Sequence, residues 1–440
     1  MSSLAARVLE LIGPGAQAEV QVTTRSRALT RFARSFIHQN VVDTVTRVRL
    51  RVVLEGSWAS AETDRTDPDS LRRLVDSALA AARLRPADPL FPGLSPPEPV
   101  AADGNWDDAT ADATPDQRAA VVRQIVDAVG GAAGGVEAAG YVETERTEGT
   151  YANSLGQTAS GRATQAAADA VARVPGSDGV ARWAGVRLSD VDGAALGTAA
   201  AGKARAGADP VDLPPDEYEV LLEPSCVGDI LHFLVVHGLN GLPVAEGRSF
   251  AVPGTDQFDP ALTLVDDPVD AVSTALPWDT EGTPRRRVEL VAAGRTAGLA
   301  HDRRTAARLG TTSNGHATEG GERWGPLPTQ LRLAPGTASV ADLRRGLLVS
   351  DFWYTRALDP RTIVVTGLTR NGVWLVEDGE ITRAVSNLRF TQSYPDALAP
   401  GNVLGVGADP APTRERYAGA VTVAPSLHLA HWHVTGGAAG

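Results

Sequence analysis

Eight histidines and one cysteine are the residues of this 440-residue sequence best suited to bind zinc or attack a carbonyl, so their spacing decides which chemistry is open. His428, His431 and His433 form the only dense group, and on a strand His431 and His433 project to the same side, where two imidazoles could hold a metal. No carboxylate third ligand can be named. A strand alternating His431, Trp432 and His433 at a sheet edge or subunit contact is the plainer reading. His232 and His237 are five apart on an apolar stretch, which turns them away from a shared helical face, and they read as core or cap residues. There is no His-Glu dipeptide, so the helical pair of zinc ligands with an adjacent glutamate base cannot be built in its usual form.

Cys226, being alone, excludes an internal disulfide and a multi-cysteine zinc site, and it fits a reducing compartment. With Val227 beside it and an apolar helix beyond, it reads as a small buried residue rather than a thiolate nucleophile. No Gly-x-Ser-x-Gly elbow occurs, since Ser313, between Gly310 and Gly315, falls one residue late. Neither glycine-rich phosphate motif is present, so no nucleotide cofactor is indicated. The acidic pairs Asp266 with Asp267 and Asp279 with Glu281 have the types for acid catalysis or metal ligation. Beside Pro268 and Gly282 they read instead as turns and caps.

The elements that must position these residues alternate strand and helix in the first half. Glu19 to Thr24 and Thr46 to Leu54 have strand patterning, and Arg47, Arg49 and Arg51, alternating with Val48, Leu50 and Val52, read as its solvent face. Asp67 caps a helix with Pro68 at its first position and Leu71, Leu74, Val75, Ala78, Leu79 and Ala82 on one side; Pro86, Pro89 and Pro92 end it. Thr114 and Gln117 make a capping box around Pro115 for a second helix, whose stripe is Val122, Ile125, Val126 and Val129 and whose stop is Gly130 and Gly131. Val136 to Val142 and Gly149 to Ala172 follow as strands joined by an Asn153 to Gly156 turn.

Between Ala199 and Pro215 the hydrophobic period is lost, which places a boundary between an α/β unit, 1–205, and a β-rich unit, 206–440. Beyond it, Tyr218 to Leu222 reads as a strand entering an apolar helix, Ser225 to His237, closed by Gly238. Arg361 to Thr366, Val373 to Val376, a hairpin turn at Asp378-Gly379, Ala420 to Ala424 and Leu427 to Val434 suit antiparallel strands. The expected class is α+β. Apolar residues at 43% and charged residues at 21% fit an ordered soluble chain, and the net charge of -12 disfavours nucleic acid and anionic membrane as partners. No segment approaches the roughly 20 apolar residues of a membrane span. The first residues, interrupted by Arg7 and Glu10, are unlike a secretory signal, so the cytoplasm is expected.

Several segments together resemble the TldD/TldE (PmbA) metalloprotease family. They are Phe36-Ile37-His38-Gln39-Asn40, the strand Val48 to Val53, and Tyr151 to Gly156, where Asn153, Ser154 and Gly156 match the family's Asn-Ser-x-Gly turn. Later come Tyr218 to Pro224, the run ending Asp266-Asp267-Pro268, Trp278 to Arg286 with Asp279, Glu281 and Gly282 in an Asp-x-Glu-Gly-x-Pro pattern, and Gly372 to Ile381. The family has two kinds of subunit, one bearing a His-Glu-x-x-x-His helix and a late cysteine as zinc ligands, the other lacking them. This chain resembles the second, TldE-like kind. Where the zinc helix would begin it reads Glu223-Pro224-Ser225-Cys226-Val227-Gly228-Asp229, and Tyr417 to Val434 contains no cysteine. The resemblance implies a chain without catalytic or metal residues of its own, with zinc in a TldD-like partner and unfolded or precursor peptides as substrate. Two alternatives stay open: a peptide-binding or scaffold homodimer without proteolysis, and an atypical metallopeptidase using His428, His431, His433 or Cys226.

Overall fold

The first two N-terminal strands extend further than the short predicted stretches. The computed structural model describes residues 4–101, 103–131, 135–414 and 421–438. Helix α1 (Leu4–Ile12) enters strands β1 (Gln17–Ala33), β2 (Phe36–Leu54) and β3 (Ser57–Thr63), followed by α2 (Pro68–Leu84), α3 (Asp108–Ala111) and α4 (Pro115–Gly131). Strands β4 (Glu137–Asn153), β5 (Thr158–Val174) and β6 (Ser177–Gly185) and helix α5 (Gly193–Ala206) complete the first half. The six strands form one antiparallel sheet in the order β3-β2-β1-β4-β5-β6.

Asp67 caps α2 by accepting from Ser70 N at 2.9 Å, and Thr114 and Gln117 exchange side-chain to backbone bonds at the start of α4, so both helices start where their caps place them. Leu71, Leu74, Val75, Ala78 and Ala82 of α2 bury Val20, Val48, Leu50 and Val52. Val122, Ile125 and Val129 of α4 and Ala200, Ala201 and Ala204 of α5 bury the alanine row of β5 on the same side of the sheet. Two expectations need correction. Helix α4 runs through Gly130 and Gly131 instead of stopping at them. Helix α5 runs into the stretch read as a boundary without hydrophobic period: its Ala and Gly residues carry little hydrophobic signal, but they let α5 approach α4 closely, and a Cβ on Gly197 would lie 2.6 Å from Ile125 O.

In the second half, β7 (Asp216–Leu222) leads into α6 (Pro224–Phe233) and a π turn, Leu234–Gly238, then α7 (Gly241–Ala245). Strands β8 (Leu264–Asp266), β9 (Val288–Ala292) and β10 (Arg295–Thr296), helix α8 (Arg303–Leu309) and β11 (Leu331–Leu333) follow. The last strands are β12 (Arg345–Asp359), β13 (Val364–Glu377), β14 (Glu380–Ala384), β15 (Leu388–Ser393), β16 (Val403–Val406), β17 (Ala411–Arg414), β18 (Val421–Ala424) and β19 (Leu427–Gly437). Pairings β12–β7, β7–β19, β19–β15, β15–β13 and β13–β12 close a five-stranded ring, parallel only at β12–β7. Val220, Leu222, Phe352, Phe390, Leu429 and Trp432 from this ring belong to the core that α6 joins. A second sheet, β10-β9-β8-β11-β18-β17, packs on the other side of α6. Asp378 and Gly379 make the β13–β14 turn with φ of 50° and 80°, the geometry that favours this pair. The fold is mixed α+β with mostly antiparallel sheets, as expected. No helix among the described residues is long and apolar enough to cross a membrane.

Candidate functional site

Strand β7 delivers α6 to the junction of the two halves. Pro224 occupies the first turn, and Cys226, Val227, Ile230 and Leu231 turn inward. The Cys226 thiol is fully buried, 3.5 Å from Val349 O, and burial pushes its pKa up, which suits a core residue and not a thiolate. The polar side of α6 meets side chains from the N-terminal half. Lys203 of α5 pairs with Glu223, and Ser350 Oγ bridges them, 3.0 Å from the ammonium and 2.8 Å from the carboxylate. Arg182 of β6 binds Asp351 at 2.9 Å and Asp169 at 3.3 Å. Asp351 also accepts from Ser225 Oγ at 2.9 Å and Asn371 Nδ2 at 3.2 Å. Burial works against the Arg182 charge, yet the two aspartates outweigh it and raise its pKa. Asp229 accepts from Thr355 Oγ1 at 2.9 Å and from the Tyr394 hydroxyl at 3.1 Å.

The resemblance read from the sequence implies a zinc helix at this position in a metal-bearing subunit, so the donors present can be tested against zinc. Glu223, Asp229 and Asp351 have suitable chemistry, but each is satisfied by a cation, hydroxyl or amide, and two cations already lie in the cluster. A catalytic zinc takes three protein ligands and keeps one open position for water. Among the described residues no group of three His, Cys, Asp or Glu is placed to hold a metal ion. The residues here do not fit zinc.

The C-terminal histidines do not converge either. His428 is buried and bonds Glu219 Oε1 at 2.7 Å, whereas His433 is exposed and 3.9 Å from Glu217. The β19–β7 register shifts between Leu429 and Trp432, after His428 and before the regularly paired run Trp432 to Val434, and His431 and His433 flank the buried Trp432. His232 and His237 both flank the Phe233 ring, and Ser313 Oγ donates to His301 O at 3.1 Å. Sequence reasoning missed the fully buried pair His316 and Asp266, 2.8 Å apart, in which His316 holds the carboxyl below its usual range despite burial. Asp266 also accepts from Gln330 N at 2.6 Å, so it fastens β8 to β11, and Asp267 accepts from Val269 N at 3.3 Å next to Pro268.

The motif residues, by contrast, are brought together. Asn153 Oδ1 accepts from Leu155 N and Gln157 N, both at 3.0 Å, while Gly156 takes φ of 96° and Ser154 Oγ accepts from Ala18 N at 3.0 Å. Asp279 accepts from the amides of Glu281, Thr283 and Ala317 at 2.9, 3.0 and 2.9 Å. These two turns dock on each other across the halves. Gln157 Nε2 donates to Gly282 O at 2.8 Å, Asn153 Nδ2 to Ser95 O at 2.8 Å, and Ser95 Oγ to Glu281 O at 2.6 Å.

Beside the docked turns a shallow pocket is lined by Arg51, Trp58, Phe91, Glu281, Asp302 and Arg304. Arg51 is not on a solvent face, as its alternation suggested: the C-terminal half covers that side of the sheet, and its side chain is only 15% exposed. It lies 3.0 Å from Glu19 and 3.9 Å from Glu281. Burial, with Asp279 adding repulsion, pushes the Glu281 carboxyl up to about 8. Its Oε2 accepts from Arg303 N at 3.0 Å.

With this geometry in view, comparison with known proteins is direct. The model of the PmbA/TldA metallopeptidase C-terminal domain matches residues 215–436, and that of PmbA/TldA metallopeptidase domain 1 matches residues 18–82. The chain belongs to the PmbA/TldD metallopeptidase family. Its fold is that of TldE from Thermococcus kodakarensis, at a TM-score of 0.84 and 17% identity over 98% of this chain and 99% of that one. A Thermotoga maritima protein described as a candidate modulator of a DNA gyrase superposes with a TM-score of 0.83 at 17% identity over the same shares. A protein of Methanothermobacter thermautotrophicus named metalloprotease is 25% identical over 207 residues, a match spanning 44% of each chain.

Proposed function

We propose that this chain is the zinc-free subunit of a TldD/TldE-type metallopeptidase of the cytoplasm. A homologue bearing His-Glu-x-x-x-His supplies the zinc, and this chain completes a compartment for unfolded or precursor peptides. One observation supports the reading: at the helix following β7, where the resemblance implies zinc ligands and an open water position in the active kind of subunit, this chain has the Lys203–Glu223 and Arg182–Asp351 pairs. Two partly buried cations oppose a dication there, while the surrounding family fold is intact.

The test is co-expression with the zinc-bearing homologue of the same genome. The two chains are expected to co-elute, with zinc in proportion to the homologue, and to cleave an unstructured peptide faster than the homologue alone. Separate elution, or an unchanged rate in the mixture, refutes the reading. The alternative of an atypical metallopeptidase gains nothing from the placement of His428, His431 and His433.

A further inference from the structure

Arg49 and Arg51 are two residues apart on β2, so their side chains leave the same face of the sheet, roughly 7 Å apart and opposite the buried Val48, Leu50 and Val52. A guanidinium carries five N–H donors, and a partly buried one normally directs them at protein acceptors. These two do not. Arg49 is half-buried and, among the described residues, has neither a hydrogen bond nor an ion pair. Its neighbour across the β2–β3 pair, Glu62, is exposed and does not reach it. Arg51 approaches Glu19 at 3.0 Å and Glu281 at 3.9 Å through Nη1, neither contact aligned as a hydrogen bond, and its Nε is buried without a partner. The Arg51 guanidinium lies over the Trp58 ring, 5.1 Å from its centroid, which holds it in place without using a donor.

Both arginines line the cavity beside the docked turns. A single buried water needs about 10–15 Å³, so this cavity of about 40 Å³ takes an end group of a few atoms and not a whole ligand. One wall is apolar, with Phe91 stacked on Trp58 at 6.2 Å. Across from it stands the Glu281 side chain, which the docked turns do not use, since they need only its backbone and the Asp279 carboxylate. Glu281 Oε2 accepts from Arg303 N, and burial keeps the carboxyl protonated up to about pH 8, so Oε1, on the Arg51 side, can donate to an incoming oxygen instead of repelling it. The other charges are committed: Arg304 pairs with Asp88 at 2.8 Å, and Asp302 caps α8 through Thr305 N at 2.7 Å. The unspent donors of the lining are those of Arg49 and Arg51.

We infer that this cavity binds a single carboxylate between the Arg49 and Arg51 guanidiniums, with the carbon chain behind it resting on Phe91. A carboxylate is planar, offers two acceptor oxygens to the guanidinium fork and carries one charge. A dianion such as sulfate has the acceptors too, but Glu19, Asp302 and Glu322 nearby oppose its second charge. The carboxylate is either a peptide C-terminus or an aspartate or glutamate side chain, which present the same head group. The inference does not depend on the zinc-free reading, since it concerns the chain by itself.

The test is ligand-observed saturation-transfer NMR on the full-length chain. The probes are N-acetyl-leucine for a C-terminal carboxylate, the α-amide of N-acetyl-aspartic acid for a side-chain one, and N-acetyl-leucine amide, which has neither. At least one carboxylate is expected to bind in the millimolar range, as befits so small a contact, and the one that binds identifies the source. The amide should bind about tenfold more weakly or worse, the loss of a charged hydrogen bond. Arg49→Gln should weaken the carboxylate to the same degree with unchanged thermal unfolding, because Arg49 bonds nothing in the fold. Arg51→Lys, which keeps the charge and loses the fork, should weaken it as well, and Arg72→Gln, an equal loss of charge on α2, should leave it unchanged. Equal binding of acid and amide, full affinity in Arg49→Gln or in a folded Arg51→Lys, or displacement by an equal concentration of sulfate overturns the inference.

Discussion

Replacing Gly282 with alanine is the sharpest test of the claim that the motif residues clamp the two halves together. Gly282 has φ of 72°, and a Cβ there would sit 2.2 Å from the Tyr151 ring, a contact no side chain tolerates without movement. The left-handed backbone alone costs a non-glycine residue about 1–2 kcal/mol. Forcing a methyl group into a packed contact adds about 1–3 kcal/mol, for a total of about 2–5 kcal/mol. Gly401 supplies the control, because its φ is 87° and nothing lies within 4 Å of its Cβ position. Gly401→Ala should therefore show only the backbone part. Urea unfolding of the full chain measures both, with the difference in midpoint assigned to the ring contact. In a Tyr151→Ala background, Gly282→Ala should cost no more than Gly401→Ala. If the two alanine variants are equally stable in the wild-type background, Tyr151 does not press on Gly282 and the docking argument fails.

Two further outcomes are expected. Arg182→Met removes the cation that faces Asp351, 3% exposed, and should destabilise the chain by about 3–5 kcal/mol in denaturant unfolding, with Asp351→Asn added to the same chain recovering part of it; a loss below about 1 kcal/mol would show the pair to be solvated. Glu281 keeps its proton in the folded state up to about pH 8, whereas the unfolded chain releases it near the ordinary value of 4.5, so the folded state binds more protons in that window and stability falls as pH rises through it. Glu281→Gln should remove that slope, its stability advantage over wild type growing between pH 5 and 8; a difference that stays constant with pH contradicts the buried-carboxyl account.

What was legible in the sequence was local. Asp67 with Pro68, Thr114 with Gln117, and Asp378 with Gly379 each define a cap or turn through neighbours within a few residues, and each forms where its chemistry places it. Helix α5 escaped notice because its burial depends on small residues matching small residues of α4, β5 and β6, a fit that leaves no hydrophobic stripe. Strands β1 and β2 were underestimated because beyond Thr24 and before Thr46 they stand largely in solvent, where no buried face imposes alternation. Arg51 was misplaced since a charged residue alternating with valines looks the same whether its face meets water or another domain. The α6 cluster was invisible for a stronger reason: Arg182 and Asp351 are 169 residues apart, and no local pattern announces such a pair. The motif turns were legible as turns, but their docking through Gln157 and Gly282 was not.

The two ion pairs at α6 pose a question that stability does not answer. Burying charges costs desolvation, and replacing a buried pair with apolar residues of similar size is often neutral or stabilising. Both pairs here join the N-terminal half, through α5 and β6, to residues at or beside the start of α6 and on β12. A charged pair satisfied only in one geometry penalises every other arrangement of the halves, whereas an apolar contact tolerates sliding. On this argument the pairs fix the angle between the N-terminal sheet and the ring, and with it any surface that spans both. Lys203→Met combined with Glu223→Leu should then leave unfolding stability within about 1 kcal/mol of wild type while weakening co-elution with the zinc-bearing homologue and its stimulated peptidase rate. A double variant that is equally stable and fully competent in the mixed assay would show that the orientation of the halves is set elsewhere, with the docked turns at Gly282 the next place to look.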